Sequence, residues 1–447
     1  MGLVNVCGTG FDPIIVGKNS LAGGTDSKLD TGPGDCGYPL ARNISPVALD
    51  ADEGDNVLGS RGGIQVPYGT SDHNNNSEVF TVRTENIITY GIWIHETVVP
   101  TFLFSLYAAG FLRSTYEPYT SATDGAVGLV KVPITATTFR IDLYGRSGGA
   151  WDLLGGGTGP STIAEGSHIC VMLQVDLDNG GGTKRARVLL GTGVGGSYSV
   201  ATYIDWVESI VIDGAGVFGT PSVGGAQIGA AGNGITGKIS DCFKGENDTE
   251  AVIDFPDETH CCHLYPRAVG SNGMGNWAEG GDASCDGNPM RQIADPEHDG
   301  DQANDYITTP SATQTDWYGT LAGEVDASAD IYGVGADSVI GDGSLPSHFH
   351  VKDNGNTLRV AINGAGATDQ LGYVTFPTQA DGSSAWTPAA LNSHEFGARA
   401  SASDARLYAY SVWVVGHNVF GTDVYRESKL ADCAAAATGF VPKVMVS

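Results

Sequence analysis

Runs of β-branched and aromatic residues recur along this chain, and most are closed by a cluster of Gly, Asn, Asp or Ser. That cadence constrains the fold more than any other feature. Alternate residues of a strand face opposite sides, and the closing clusters supply the positive φ angles that tight turns need. Residues 78–83, 87–95 and 101–107 are runs of this kind, and 138–144 alternates cleanly between apolar and polar side chains. The run 406–415 has the same residue types near the end, while 178–182 and 353–356 are turn clusters. Helical periodicity is scarce, with 430–437 a short exception. Many short strands without crossover helices predict an all-β chain of antiparallel sheets packed face to face.

Composition narrows the class further. The 447 residues include 65 glycines with no three-residue period, which excludes collagen. A hydrophobic content of 41% is too high for a disordered chain. No apolar run approaches the ~18 residues of a membrane helix. Residues 1–17 lack a basic patch followed by an apolar core, so no secretory signal is expected. Lys and Arg number 23 against 51 Asp and Glu, a formal charge of −28. Such a surface repels phosphate backbones and anionic leaflets, so neither nucleic acid nor membrane is an expected partner.

The punctuation divides the chain into two sandwiches and two ends. Residues 1–48 carry Pro13, Pro33, Pro39 and Pro46 with little periodicity and read as an extended arm. The first sandwich spans 49–270 and contains a legible hairpin, 168–178 and 183–190 around the glycine turn. The second spans 271–424, and 425–447 reads as a C-terminal arm with a short helix.

None of the eight cysteines forms a C-x-x-C pair. Cys170 sits in an apolar run and reads as a buried small hydrophobe. His260-Cys261-Cys262-His263 resembles a zinc box by letter, yet neighbours on an extended chain point to opposite faces and cannot converge on one tetrahedral ion. Disulfides involving Cys242, Cys261, Cys262 or Cys285 are the expected alternative. Cys7, Cys36 and Cys433, on the two arms, are placed to bridge subunits.

A glycosidase needs two carboxylates about 5–5.5 Å or ~6.5–9.5 Å apart. Glu246, Asp248 and Glu250 have suitable spacing, but Asn247 and Thr249 stand where such enzymes place apolar residues, and the stretch reads as a solvated turn. Asp176 and Asp178 read as caps of the glycine turn. Gly145-Arg-Ser-Gly-Gly149 fits a nucleophile elbow, and 191–196 and 214–219 fit G-x-G-x-x-G, by letter only; neither 145–149 nor 191–196 is followed by the helix such a motif requires. Asp295, Glu297, Asp299, Asp301 and Asp305 crowd one loop with Gly300 and could wrap calcium, with a solvated loop as the alternative. Trp277 and Trp386, near loops, are the candidate glycan contacts, while Trp93 and Trp413 read as core.

The hairpin at 168–190, followed by Gln227-Ile-Gly-Ala230 and residues 234–241, resembles the concanavalin A-like, laminin G-like jelly roll. In the second unit His263-Leu-Tyr-Pro266, Asn276-Trp277, the acidic loop 294–301, Asp305-Tyr-Ile307, Trp386-Thr387 and Glu395-Phe-Gly397 follow in an order that resembles virion structural proteins of tailed phages and prophages. This likeness covers roughly 240–415; the loop 274–295 is longer and carries Cys285. The resemblance implies two tandem jelly-roll sandwiches in a head-decoration or neck/collar protein. Such a protein is made in the host cytoplasm, resides in the virion, and packs against copies of itself and other virion proteins. It implies no catalytic residues, hence no enzyme, and no cofactor beyond the calcium candidate. A host-glycan adhesin and a polysaccharide depolymerase are the alternatives.

Overall fold

The computed structural model describes residues 3–9, 48–50, 63–65, 75–76, 85–95, 105–106, 126–147, 150–156, 162–164, 167–193, 197–210, 222–223, 238–249, 255–264, 268–271, 277–281, 305–309, 315–320, 325–340, 346–353, 355–362, 370–400, 405–407 and 409–419. They form an all-β chain of antiparallel sheets, in two compact units that divide between Cys261 and Cys262. The sequence reading placed that division between 270 and 271.

The first unit begins with β1 (Val4–Thr9), β2 (Ala48–Asp50), β3 (Gly63–Gln65), β4 (Asn75–Asn76) and β5 (Ile87–His95). Next come β6 (Ser105–Leu106), β7 (Ala126–Thr135), β8 (Thr138–Ser147), β9 (Ala150–Gly155) and β10 (Ile163–Ala164). The last are β11 (His168–Asp176), β12 (Arg185–Thr192), β13 (Ser199–Glu208), β14 (Ser222–Val223) and β15 (Lys238–Asn247). The large sheet has the order β13-β12-β11-β5-β15-β3-β2, with β1 also on β15. A second sheet runs β10-β8-β7-β6, with β9 on β8.

Three causes hold the large sheet in register. Asp176 Oδ1 accepts from the Asp178 N–H at 3.0 Å and Asp178 Oδ1 from the Gly182 N–H at 3.0 Å, which fixes the β11–β12 turn. Across β11 and β12, Asp176 forms a buried ion pair with Arg185 at 2.9 Å. The guanidinium carbons of Arg185 and Arg187 then lie 4.4 and 4.6 Å from the Trp206 ring centre, tying the edge strand β13 to its neighbour. At the other end of the sheet Trp93 is fully buried, stacks on His260 at 4.9 Å and donates its indole N–H to the Thr259 carbonyl.

The second unit opens within β16 (Thr259–Leu264), then β17 (Ala268–Val269), β18 (Ala278–Gly281), β19 (Asp305–Thr308), β20 (Thr315–Thr320) and β21 (Asp330–Ile340). It continues with β22 (Pro346–Lys352), β23 (Thr357–Ala361), β24 (Gln370–Phe376), α1 (Pro388–Ser393), β25 (Glu395–Ala400), β26 (Arg406–Leu407) and β27 (Ala409–His417). One sheet has the order β16-β27-β21-β24 and another β17-β20-β25-β22-β23; β18-β19-β26 is a third. The first two share one core. Val334, Ala336, Val374, Phe376, Val412 and Val414 come from one sheet, and Phe349, Val351, Phe396 and Ala398 from the other. Phe349 and Tyr410 meet edge-to-face at 5.3 Å. A Cβ at Gly335 would overlap the Trp413 ring, so that close approach requires glycine.

The helix α1 was not expected, although its start is written in Thr387-Pro388: the Thr387 hydroxyl accepts the Ala390 N–H and Pro388 opens the first turn. The reading of 1–48 as an arm is corrected at 4–9, which pairs within the first unit's sheet. The expected helix at 430–437 lies outside the described residues.

Candidate ligand-binding cleft

The first unit holds a cleft lined by residues of β10, β11, β12 and β13, and one of them, Tyr203, reaches the place where β8 changes partners. One edge of β8 pairs with β7 along nearly its whole length. The other pairs with β10 at Phe139 and Thr138, and with β9 from Leu143 to Ser147. Between those stretches, residues 140–142 have no paired strand on that edge among the described residues. Tyr203, reaching across from β13 in the other sheet, takes up the slack: its hydroxyl accepts the Ile141 N–H at 3.3 Å. A backbone donor buried without a partner would cost about 1–3 kcal/mol, so this phenol is a structural tie as well as a wall of the cleft.

The cleft has a volume of about 490 Å³. Ile163, Ile169 and Leu190 form an apolar floor, of which Ile163 and Ile169 are buried, with Ala164 and Ala201 beside them. Thr162, Ser167, Thr192 and Tyr203 supply hydroxyls, and Thr162 and Thr192 are exposed at the mouth, while Thr202 stands opposite Leu189 on the other face of the sheet. Gly193, with φ of 86°, turns the chain out of β12 at the rim, where a Cβ would strike the Ser197 carbonyl. This accounts for one glycine of the G-x-G-x-x-G string. Gly191 is another, and its bare face accommodates the Tyr198 ring.

Next to Tyr203, Asp142 is buried and held in a two-point pair by Arg140, at 2.8 and 3.0 Å. The hydrogen bond to Asp142 pushes the Arg140 guanidinium further up. Burial raises the Tyr203 phenol above its usual range; the Ile141 N–H opposes that shift and the Asp142 charge adds to it. The phenol therefore stays neutral and keeps its proton at neutral pH. Among the described residues, no carboxylate lines the cleft.

Other candidates fall elsewhere. Glu246, read as part of a solvated turn, is instead fully buried in β15. Lys244 Nζ lies 2.5 Å from one carboxylate oxygen, while Asn5 Nδ2 and the Glu85 N–H donate to the other at 2.9 and 3.1 Å. The physical reason is alternation: Lys244 and Glu246 are two apart on one strand face. Asp248 is exposed beyond the strand end, so it forms no acid pair with Glu246, and Glu250 lies outside the described residues.

Cys7 cannot act as a bridge on a free arm. It is buried in β1 opposite Lys244, and burial pushes its thiol up to about 12, with Lys244 lowering and Glu246 raising it. Cys261 and Cys262 are buried thiols rather than half-cystines; as neighbours on β16 they face opposite ways and do not bridge each other, and Cys262 Sγ donates to the Val419 carbonyl at 3.6 Å. Cys242 stands in β15 opposite Ile92, and its side chain lies outside what is described. Cys36, Cys285 and Cys433 also lie outside the described residues.

Trp277 and Trp386 are corrected as glycan platforms. Both belong to the buried core of the second unit, where Trp386 stacks on Phe396 at 5.8 Å and donates to the Phe376 carbonyl at 2.9 Å. Of the calcium candidates, Asp295, Glu297, Asp299 and Asp301 lie outside the described residues, and Asp305 begins β19 opposite Gly281.

No family model and no curated protein matches the chain. Solved structures match at low similarity. One is an engineered GH43 glycoside hydrolase with endo-xylanase and exo-arabinofuranosidase activity, at 11% identity and a TM-score of 0.29, covering 45% of this chain; the chain spans 36% of that structure's length. Another is domain 4 of a GH43 extracellular arabinanase from Geobacillus stearothermophilus, at 13% identity, a TM-score of 0.22 and 47% and 80% coverage of this and that chain. A third is mouse laminin α1 domains LG4-5, at 8% identity and a TM-score of 0.20, covering 78% of each chain. The expectation of a chain without enzymatic activity is withdrawn, since solved structures similar to the chain include glycoside hydrolases. With TM-scores this low they supply no reaction and no residue roles.

Proposed function

We propose that this chain is a structural protein of a tailed-phage virion, in a head-decoration or neck/collar position, packing against copies of itself and other virion proteins. The build of the two units carries the reading. Antiparallel sheets locked by large buried side chains, among them Trp93, Phe139, Phe243, Tyr410 and Trp413, make rigid blocks suited to repeated packing. The order of motifs from His263 to Gly397 supports the virion setting, and the charge of −28 favours dispersed particles. Mass spectrometry of density-purified particles is the test. The chain should appear at a fixed copy number and be labelled on the head or neck by antibody in electron micrographs. Its absence from purified particles would refute the proposal.

A second reading, contact with surface glycan, is favoured by the cleft of the first unit: an apolar floor under a hydroxyl rim is the lining a sugar ring requires. Retention of the purified chain on immobilised host polysaccharide tests it, and passage without retention would refute it.

A further inference from the structure

We infer that the cleft lined by β10, β11, β12 and β13 is a binding site for a neutral saccharide. This rests on the glycan reading above and deepens it by naming the ligand class and the place.

Size and lining set the class. About 490 Å³ falls inside the ~300–1,000 Å³ of small-molecule sites. A sugar ring has a C–H face and a hydroxyl edge. The side chains of Ile169 and Leu190 match the first, and the hydroxyls of Thr192 and Tyr203 match the second. Hydroxyls both donate and accept, so they suit a ligand whose own groups do the same.

Charge sets the neutrality. Among the described residues, no Lys, Arg, Asp or Glu lines the cleft. The nearby guanidinium of Arg140 is already engaged at two points by Asp142. A carboxylated or sialylated sugar would therefore lose hydration without gaining a cation, and would approach a strongly anionic chain.

The site is also preformed. Ile169 sits directly opposite Thr192 on paired strands, and Tyr203 is tethered to the backbone of β8. Little ordering is left to occur on binding, which is the condition for measurable affinity from few contacts.

The experiment titrates the full chain calorimetrically with maltose, lactose and xylobiose, and with digalacturonate and 3′-sialyllactose. Ala201→Trp, at an exposed strand position opposite Leu190, fills the mouth. Thr192→Ala and Thr162→Ala each remove one hydroxyl. Binding of at least one neutral sugar is expected, lost with Ala201→Trp and weakened about 3- to 10-fold by each of the two alanines, with both acidic sugars excluded. Neutral sugars held equally by all three variants would overturn the cleft while leaving the glycan reading intact. Preference for an acidic sugar, lost with Ala201→Trp, would overturn neutrality alone. Retention on host polysaccharide with no neutral sugar bound would overturn the inference and spare the glycan reading; no retention on any saccharide would overturn both.

Discussion

The docking of β1 makes a quantitative prediction through Cys7. Its thiol is buried opposite Lys244, and its pKa rises from an ordinary 9.0 to about 12. The unfolded thiol loses its proton above 9.0 while the folded one keeps it. Stability from this group is therefore intact below pH 9 and falls as pH rises through the window up to about 12. Each pH unit inside that window removes ~1.4 kcal/mol, so the loss should reach about 2 kcal/mol at pH 10.5. Urea denaturation at pH 7.5, 9.0 and 10.5, comparing the chain with Cys7→Ala, isolates this contribution from other titrating groups. Cys7→Ala costs some stability everywhere through lost packing, so the slope with pH is the readout. A shallower alkaline decline in Cys7→Ala is expected. Parallel curves, or rapid alkylation of Cys7 in the native chain at pH 8, would show that the strand 4–9 is not seated in the sheet.

Three further predictions follow from the packing. Lys244→Met should cost about 3–5 kcal/mol in thermal or urea unfolding, because it leaves the Glu246 carboxylate buried without its cation; adding Glu246→Leu should recover most of that loss. Gly335→Ala should destabilise by about 1–3 kcal/mol, since its Cβ overlaps the Trp413 ring, and an unchanged melting temperature would contradict the packing. The Asp381 carboxyl, hydrogen-bonded by the Ser384 hydroxyl and the Ser384 and Ser383 N–H groups, is held down to about 2; it should titrate there by NMR and move upward in Ser384→Ala. Its contribution is present above the unfolded value and is lost as pH falls through about 2.

What was legible in the sequence was local. The alternation in 138–144 names β8, and Asp176 and Asp178 cap the glycine turn as their spacing suggests. The cap of α1 was equally local and passed unread in Thr387-Pro388. What was not legible depended on partners far apart in the chain. Glu246 is buried because Asn5 and the backbone of Glu85 reach it from distant segments, although Lys244, two residues away, was an available signal. Trp277 and Trp386 lie beside loops in the sequence, yet sheets formed elsewhere cover them. The cleft escapes any motif search because its floor and rim come from separate strands.

Methyl chemical-shift mapping with a neutral sugar that binds the chain tests the central claim most directly. The Ile163, Ile169 and Leu190 methyls should shift together on titration, while those of Ile307, Val351 and Val412 in the second core stay fixed. Shifts confined to residues outside the cleft, with Ile169 and Leu190 unmoved, would contradict it.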